Sequence, residues 1–593
     1  MFSYISRGRA CPFMGDPVPH REIEWRPRTE DIERALIISD QLGIGRMASR
    51  ILVARGIRRS DEVYAMLHPT LRNLHDPFLL AGMEEAVKRV RSSLEKGKKI
   101  LIHGDYDADG ITSTALMIKA LSSAFGKDRV LHHLPSRYGE GYGLSEKRIR
   151  EAGREGVDLM ITVDSGIRDI DAVRVASETG IDVIITDHHE PGSEVPDAFA
   201  IIDPKMPSSG YPFRELAGVG VAFKMVQALQ AADVIPLDAR SLLDLVALGT
   251  VADLVPLLDE NRILVSSGLE ELARTSSPGI ISLMRESGMD AVRPPTATDI
   301  AYKLAPRLNS AGRMGSPDMA LDLLLTDDRV DADLFARELN TLNFKRRAVG
   351  QKLVEEIEAE IVAAGRSDDP IILVWKEGWN PGVLGVSASR VMEDHGRPVA
   401  VLSVEGEVVR GSARAPEGFN MVSALESCSD LLSEYGGHER AAGLTLNVSD
   451  MEALRSRLIS YTLETYPSLE FRPYLDIDLD LELSDLTIEE LEDLERLRPF
   501  GSGNPEPVVS VRDVAVGGRV MTVGDGRHLK FTVDDGAAEV PCIFFNMGDL
   551  EGKLTTGMSL SVAGVPYVHR WGGRSNVEIR VRDIKSPEIQ GRT

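Results

Sequence analysis

Between Lys98 and Ile202 short apolar runs alternate with helical stretches, and this alternation constrains the fold more than any other feature. The apolar runs are 100–103, 130–134, 159–163, 183–186 and 198–202; helical patterns fill 111–125, 145–155 and 169–178. Strands joined by helices of that length give a parallel, doubly wound sheet. Two further helical stretches, 217–232 and 241–257, close the unit. In open sheets of this kind ligands bind beyond the carboxyl ends of the strands.

Those ends carry the chemistry of the chain. The first holds His103-Gly-Asp105-Tyr-Asp107-Ala-Asp109-Gly110, opening into the helix expected from Ile111. Three carboxylates at alternate positions repel one another unless cations neutralise them. The next end is Thr162-Val-Asp164-Ser-Gly166, and the third is Thr186-Asp187-His188-His189. A fourth acidic position, Asp253, lies in Gly249-Thr-Val-Ala-Asp253-Leu-Val-Pro256. A single Asp before Gly is usually only a turn. Successive strand ends that all present Asp or His to one rim are the layout of a divalent metal site. Carboxylate and imidazole donors without thiolate favour Mn²⁺ or Mg²⁺ over structural zinc. The pair His132-His133 lies within a strand run and is read as structural.

Residues 28–97 read as helical, with breaks at Arg55-Gly56 and between His68 and Pro77. A long charged helix covers 328–365, followed by a second α/β unit with strands at 371–375, 399–404 and 408–412. Its helices are expected at 383–393 and near 449–464. From about Tyr474 short alternating strands (528–533, 540–545, 560–565, 577–581) predict a small β-barrel. The expected architecture is therefore α/β and multidomain. It comprises an N-terminal helical segment (1–97), a parallel doubly wound domain (98–327), a connecting helix (328–366), a second α/β domain (367–472) and a C-terminal barrel (473–593).

Charge narrows the function. With 68 basic against 92 acidic residues the net charge is −24, which argues against a basic face that coats nucleic acid without regard to sequence. An enzyme whose acidic cluster is offset by bound cations stays compatible with that sum. Three scattered cysteines make neither a disulfide framework nor a thiolate zinc site. No apolar run reaches the length of a membrane span, and the first residues lack an apolar signal core, so a cytoplasmic location is expected.

The Asp-His-His triplet, the D-Y-D-A-D-G box, Asp164 and G-T-V-A-D-L together resemble the DHH phosphoesterase superfamily. Further boxes resemble its RecJ family of single-strand-specific exonucleases. They include Arg50 to Gly56, Leu74 to Leu80, Pro306-Arg-Leu-Asn-Ser-Ala-Gly-Arg313, Gly411-Ser-Ala-Arg414, Gly436 to Gly443 and Pro499-Phe-Gly-Ser-Gly-Asn-Pro-Glu-Pro507. The resemblance spans roughly residues 30–585 and implies DHH, DHHA1 and oligonucleotide-binding (OB) domains. It implies two ions, one held by His103, Asp107 and Asp164 and the other by Asp109, Asp164, His188 and Asp253. Asp164 would bridge them. Asp105 and Asp187 would orient the ligands, and His189 would act on the scissile phosphate, these three completing the catalytic set. Since neighbouring strand side chains point to opposite faces, His189 is expected to turn away from the metal of His188 unless the backbone turns.

In the second lobe a forked guanidinium beside a hydroxyl, Arg414 with Ser412, suits a terminal phosphate. Arg137, Arg307, Asn309, Arg313, Gly437 and His438 are further substrate candidates, with Gly436-Gly437-His438 expected as a glycine turn. Where the family usually shows Trp-His-x-Gly, this chain has Trp379-Asn380-Pro381-Gly382, which puts any role of that imidazole in doubt. In the barrel Trp571 is the best stacking candidate, ahead of Phe531, Phe544, Phe545 and Tyr567, with Arg570, Arg574, Arg580 and Arg582 nearby. None of these proposed ligands lies beyond Pro473, so loss of the barrel is expected to spare the metal centre. The resemblance implies a 5′→3′ exonuclease that degrades single-stranded DNA to 5′-mononucleotides in recombination and repair. RNA is a second substrate candidate, and a helicase and a single-strand-binding protein are candidate partners. A phosphodiesterase for short oligoribonucleotides or cyclic dinucleotides is the alternative, and a non-catalytic replisome scaffold a weaker one.

Overall fold

The computed structural model describes residues 23–136, 143–289, 293–467 and 473–587. Its first strand, β1 (Glu24–Pro27), precedes three helices, Ile32–Leu42, Arg46–Ala54 and Ser60–Leu67. A fourth helix, Met83–Glu95, leads into the parallel sheet. That sheet contains β2 (Lys99–His103), β3 (Val130–His133), β4 (Val157–Val163), β5 (Asp182–Thr186) and β6 (Ala200–Ile202), in the order β3-β2-β4-β5-β6. Every pairing is parallel. Helices cover both faces, so the central strands are apolar at nearly every position, as in β2, where Ile100, Leu101 and Ile102 are fully buried.

Two helix boundaries differ from the sequence expectation at functionally important places. The helix expected from Ile111 begins at Ala108, because Asp107 caps it by accepting from the N–H groups of Asp109 (2.9 Å) and Gly110 (3.2 Å). The helix expected to run to Leu257 stops at Ala252, because Leu254 adopts φ 64°, which no helix can continue. The described residues between 258 and 327 form further helices, among them Asp259–Ala273 and Ala305–Met314, that pack on the same core.

The connecting helix, Arg329–Ala363, is buried in two separate places. Ala332, Ala336 and Leu339 join the core of the first lobe, whereas Leu353, Ile357 and Ile361 join that of the second. The second lobe holds β7 (Ile372–Glu377), β8 (Val399–Glu405), β9 (Val408–Arg414), β10 (Leu432–His438) and β11 (Ala441–Asn447), in the order β10-β11-β9-β8-β7. Gly436, Gly437 and His438 lie inside β10, paired with β11, and do not form the glycine turn expected of them.

A short strand, β12 (Tyr474–Ile477), pairs in parallel with β1. The barrel follows: β13 (Leu479–Leu481), β14 (Val509–Val523), β15 (His528–Asp534), β16 (Glu539–Phe544), β17 (Ser559–Trp571) and β18 (Arg574–Lys585). Pairing of β14 with β17 closes the sheet. Residues 1–97 are expected as one helical segment, but among those described two cores divide them. Ala35 to Met66 share a core with the barrel residues Leu479 to Val581, whereas Leu80 to Val90 join the first lobe.

Candidate metal centre and substrate cleft

All five strands of the parallel sheet end in a polar group at one rim. His133 and His103 are the last residues of β3 and β2; Asp164 follows β4, Asp187-His188-His189 follows β5, and Asp203 follows β6. Three sets of ligand atoms lie mutually within 4.8 Å: Asp105, Asp107 and Asp164; Asp109, His188 and Asp253; and Asp164, His188 and His189. Asp164 belongs to two of them. It occupies the left-handed region (φ 60°), which aims its carboxylate across the rim, and a Cβ at Gly218 would sit 2.5 Å from its Oδ1. Only glycine admits that approach.

Asp109 accepts from the N–H groups of Gly218 (2.7 Å) and Val219 (2.9 Å), the first residues of the helix Gly218–Ala231. A helix N-terminus stabilises such a negative group. Asp187 is fully buried and accepts from Ile167 N (3.0 Å), His188 N (2.7 Å) and the His189 ring at Nδ1 (2.7 Å). It thereby fixes the orientation of the His189 ring.

Three expectations change. The backbone turns after β5, so His188 and His189 face the same site with ring centroids 4.5 Å apart. Asp105 stands within the carboxylate set itself, and not behind it. His103 joins none of the three sets among the described residues; its neighbour is His133, 5.3 Å between ring centroids, which brings a residue read as structural to the rim.

Electrostatics show the strain of this crowding. Burial, with Asp109 and Asp107 beside it, holds the Asp164 carboxyl far above the usual carboxylate range, and Asp253 is raised in the same way. Asp109 is pushed up to about 7 by burial and by Asp107. Burial, reinforced by His133, lowers His103 to about 3; burial, with His189, lowers His188 to about 3. Both rings are thus held neutral, and among the described residues their buried nitrogens find no well-aligned hydrogen-bond partner, although His188 Nε2 stands 3.1 Å from Asp164 Oδ1. Orphaned imidazole nitrogens beside carboxylates that cannot all ionise fit divalent cations.

The crowding predicts a pH dependence. Asp109 binds its proton more tightly folded, at about 7, than at its ordinary 3.8. Its contribution to metal-free stability is therefore complete below pH 3.8 and lost as pH rises through about 7. His103 and His188, both lowered to about 3 from 6.5, work oppositely, costing stability as pH falls below 6.5, and Asp187, depressed to about 2, does so only below its ordinary 3.8. Chelator-treated protein should accordingly melt lower at pH 8 than at pH 6.5, the ordinary value of both imidazoles, and Mn²⁺ should reverse the loss at pH 8. A melting temperature independent of pH would remove the crowding argument.

Sequence reasoning missed two rim residues, Asp203 and Lys205. Asp203 follows its strand as Asp164 does, so the same signal could have found it. Asp203 Oδ1 accepts from Lys205 N (2.7 Å), and burial pushes this carboxyl up to about 7. Lys205 Nζ lies 3.8 Å from Glu190 Oε1, and its positive field acts on Asp253, His188 and His438. His438 belongs to the second lobe. Its imidazole is lowered by desolvation and by the charges of His189 and Lys205 of the first, so the end of β10 lies near the rim.

The remaining candidates divide. Arg414 Nη1 donates to Ser412 Oγ (2.9 Å) and Nε to Ser389 Oγ (3.1 Å), a guanidinium fixed among hydroxyls. Asn309 Oδ1 accepts from Ala108 N (2.8 Å) and thus braces the acidic loop. Arg307 is 4% exposed and spent on Asn340 Oδ1 (3.1 Å) and the Lys303 carbonyl. Arg313 reaches the Gly382 carbonyl (3.4 Å), bridging the lobes, and Arg137 lies outside the described residues. Asn380 accepts from Gly382 N (2.8 Å) and caps the helix Pro381–His395. In the barrel Phe531 and Phe544 are core residues, and Tyr567 donates to Glu578 (2.7 Å). Arg570 is paired with Glu492, and Arg580 and Arg582 with Glu506. Trp571 is 72% exposed at the tip of the β17–β18 hairpin.

A parallel sheet with carboxylates and neutral imidazoles gathered at its strand ends, faced by a second lobe with a fixed guanidinium, defines a DHH-type hydrolase. Residues 99–250 match the DHH family N-terminal domain, 368–464 the DHHA1 domain and 477–583 the RecJ OB domain. The single-stranded-DNA-specific exonuclease RecJ of Bacillus subtilis is 39% identical over 572 residues, covering 96% of this chain and 72% of the relative. The Thermus thermophilus RecJ is 34% identical over 547 residues, 92% and 76% of the two chains. The crystal structure of T. thermophilus RecJ in complex with Mn²⁺ superposes with a TM-score of 0.81 at 30% identity, covering 95% of this chain and 80% of that one. Its Mg²⁺ complex gives 0.75 at 28% identity. The chain belongs to the RecJ family of single-stranded-DNA-specific exonucleases.

Proposed function

We propose that the chain hydrolyses single-stranded DNA from the 5′ end to 5′-mononucleotides, with two Mn²⁺ or Mg²⁺ ions at the rim. The observation that carries this reading is the carboxylate–imidazole cluster, in which Asp164 is shared between ligand sets on either side. Asp107 and Asp164, joined by Asp105 from their set and by His103 at the rim, would hold one cation, and Asp109, Asp164, His188 and Asp253 the other. Such cations supply Lewis-acid activation of water and neutralise charge on the phosphodiester. Asp105, at the same rim, adds negative charge that favours cation binding. His189, held by Asp187 through Nδ1, would donate from its other nitrogen to a phosphate oxygen. Lys205 adds positive charge on that side. Arg414 and Ser412 would receive the terminal phosphate, with Gly437 and His438 flanking it. The barrel, with Trp571 at its tip, would bind the strand that follows. We place this activity in the cytoplasm, in DNA recombination and repair beside a helicase and a single-strand-binding protein. Among the described residues no helix is long and apolar enough to cross a membrane.

The test is digestion of end-labelled single strands of DNA and RNA, with and without a 5′ phosphate, in Mn²⁺. The expected result is mononucleotide release from the 5′ end of DNA. Preference for RNA, or for dinucleotides over long strands, would replace this reading with an oligoribonucleotide phosphodiesterase. If Arg414 clamps the terminal phosphate, Arg414→Ala should cost about ten- to hundredfold on 5′-phosphorylated ends, the worth of a charge-assisted contact, and little on 5′-hydroxyl ends. Equal losses on both would assign Arg414 a structural role.

A further inference from the structure

Asp253 is followed by an irregular segment, Leu254 to Leu258, that runs to the helix Asp259–Ala273. The far side of this segment is held by the loop that leads into the barrel. Leu257 N–H donates to the Ser502 carbonyl (2.8 Å). A Cβ at Gly503 would lie 2.9 Å from Pro256 Cβ, and one at Gly501 2.7 Å from Leu257 Cδ1. The two glycines of Phe-Gly-Ser-Gly-Asn thus let two backbones meet.

Three consecutive polar residues, Glu260, Asn261 and Arg262, lie at 0%, 0% and 3% exposure just beyond the segment. Glu260 pairs with the fully buried Lys224, on the helix whose first N–H groups hold Asp109. Asn261 Nδ2 donates to the Pro256 carbonyl (3.0 Å). Arg262 donates to the carbonyls of Met66 (Nε, 2.8 Å), Arg498 (Nη2, 2.6 Å) and Pro499 (Nη1, 3.5 Å). Among the described residues no carboxylate neutralises it, and burial lowers its pKa to about 10. A buried guanidinium satisfied by carbonyls alone is a costly arrangement for stability. It does, however, tie three chain segments to one point.

Arg498 and Phe500 of the same loop also line a cavity of about 290 Å³ on the barrel, whose wall includes Glu495, the ion-pair partner of Arg498, with Glu506, Phe545 and Arg580. The Arg498 guanidinium lies over the Phe500 ring, 5.0 Å from its centroid. Aromatic rings and guanidinium planes are the surfaces on which bases of single strands stack.

We propose that the loop Arg498–Asn504 is a positioning element between strand and metal. A nucleobase in the barrel cavity bears on Arg498 and Phe500, and through Arg262 and Leu257 this fixes Asp253, so that strand binding tightens divalent-cation binding. The inference rests on the proposed function of the barrel and the rim. Thermodynamic reciprocity requires the cation to tighten the strand by the same factor.

The experiment uses the full chain and a closed circular single strand of DNA, which has no end to enter the cleft. Mn²⁺ affinity is measured by calorimetry with and without the circle. The parent protein should bind Mn²⁺ about fivefold or more tightly when the circle is present. Arg262→Met should still bind the circle while the tightening falls below about twofold, and Phe545→Ala, which removes one wall of the cavity, should lose it too. If Arg262→Met fails to fold, Gly501→Ala displaces Leu257 more gently and should reduce the tightening. Equal tightening in parent and loop variants overturns the proposal. A parent that binds circle and Mn²⁺ independently overturns it while leaving the exonuclease reading standing. Failure to bind the circle at all overturns the strand-binding reading of the barrel, and the proposal with it.

Discussion

Asp164→Asn is expected to abolish hydrolysis while leaving the fold intact. Asp164 is 3% exposed and lies in two of the three ligand sets, so its loss weakens both proposed cation sites together. Residues that act as one catalytic unit fail as one, and a fall of at least about a thousandfold is expected. Asparagine is the right replacement because the backbone there has φ 60°, which Asn tolerates and Ala resists. In the metal-free protein burial and its acidic neighbours favour the neutral form of Asp164, raising its carboxyl above the usual range. Asn imitates that neutral form, so the metal-free variant should melt no lower than the parent at neutral pH. Hydrolysis of end-labelled strands and Mn²⁺ calorimetry read the two halves of the prediction. Activity within about tenfold of the parent would sink the shared-ligand assignment.

Truncation after Pro473 is expected to destroy far more than strand binding. The position of the proposed ligands in the chain suggests that the first two lobes would survive it. The shared core argues otherwise, because Ile38, Ile44, Met47, Ile51, Leu52 and Met66 are buried against barrel residues. Full burial of such side chains is worth about 1.5–3 kcal/mol each, and their combined exposure approaches the about 5–15 kcal/mol that stabilises a whole domain. β1 also loses its partner β12, and Leu257 loses Ser502. The truncated chain should therefore expose residues 31–67 to rapid amide exchange and proteolysis, and its Mn²⁺ affinity should fall. Full protection of those residues together with parental Mn²⁺ affinity would show the N-terminal helices and Asp253 to be independent of the barrel. Strand binding is better tested by Trp571→Ala, since that side chain is 72% exposed and its removal leaves the barrel core untouched.

The parallel sheet and the place of its site were legible from local pattern alone. Strand period, helix length and the acidic or imidazole residue at each strand end are short-range properties, and topology then brings the strand ends to one rim. The connecting helix was legible for the same reason, as a long run without Pro whose two ends enter different cores. What the sequence could not decide lies in contacts between distant segments. His189 turns into the site because Asp187 caps the backbone after β5, and Asp253 is freed from its helix by one positive φ at Leu254. Asn309 and Arg307 carry the residue types of a phosphate site, yet tertiary packing assigns them to bracing the acidic loop and the connecting helix. The division of the N-terminal helices between two cores was equally hidden. An amphipathic helix shows in its sequence that one face will be buried, but only the assembled chain determines which partner, here a barrel more than four hundred residues away, covers it.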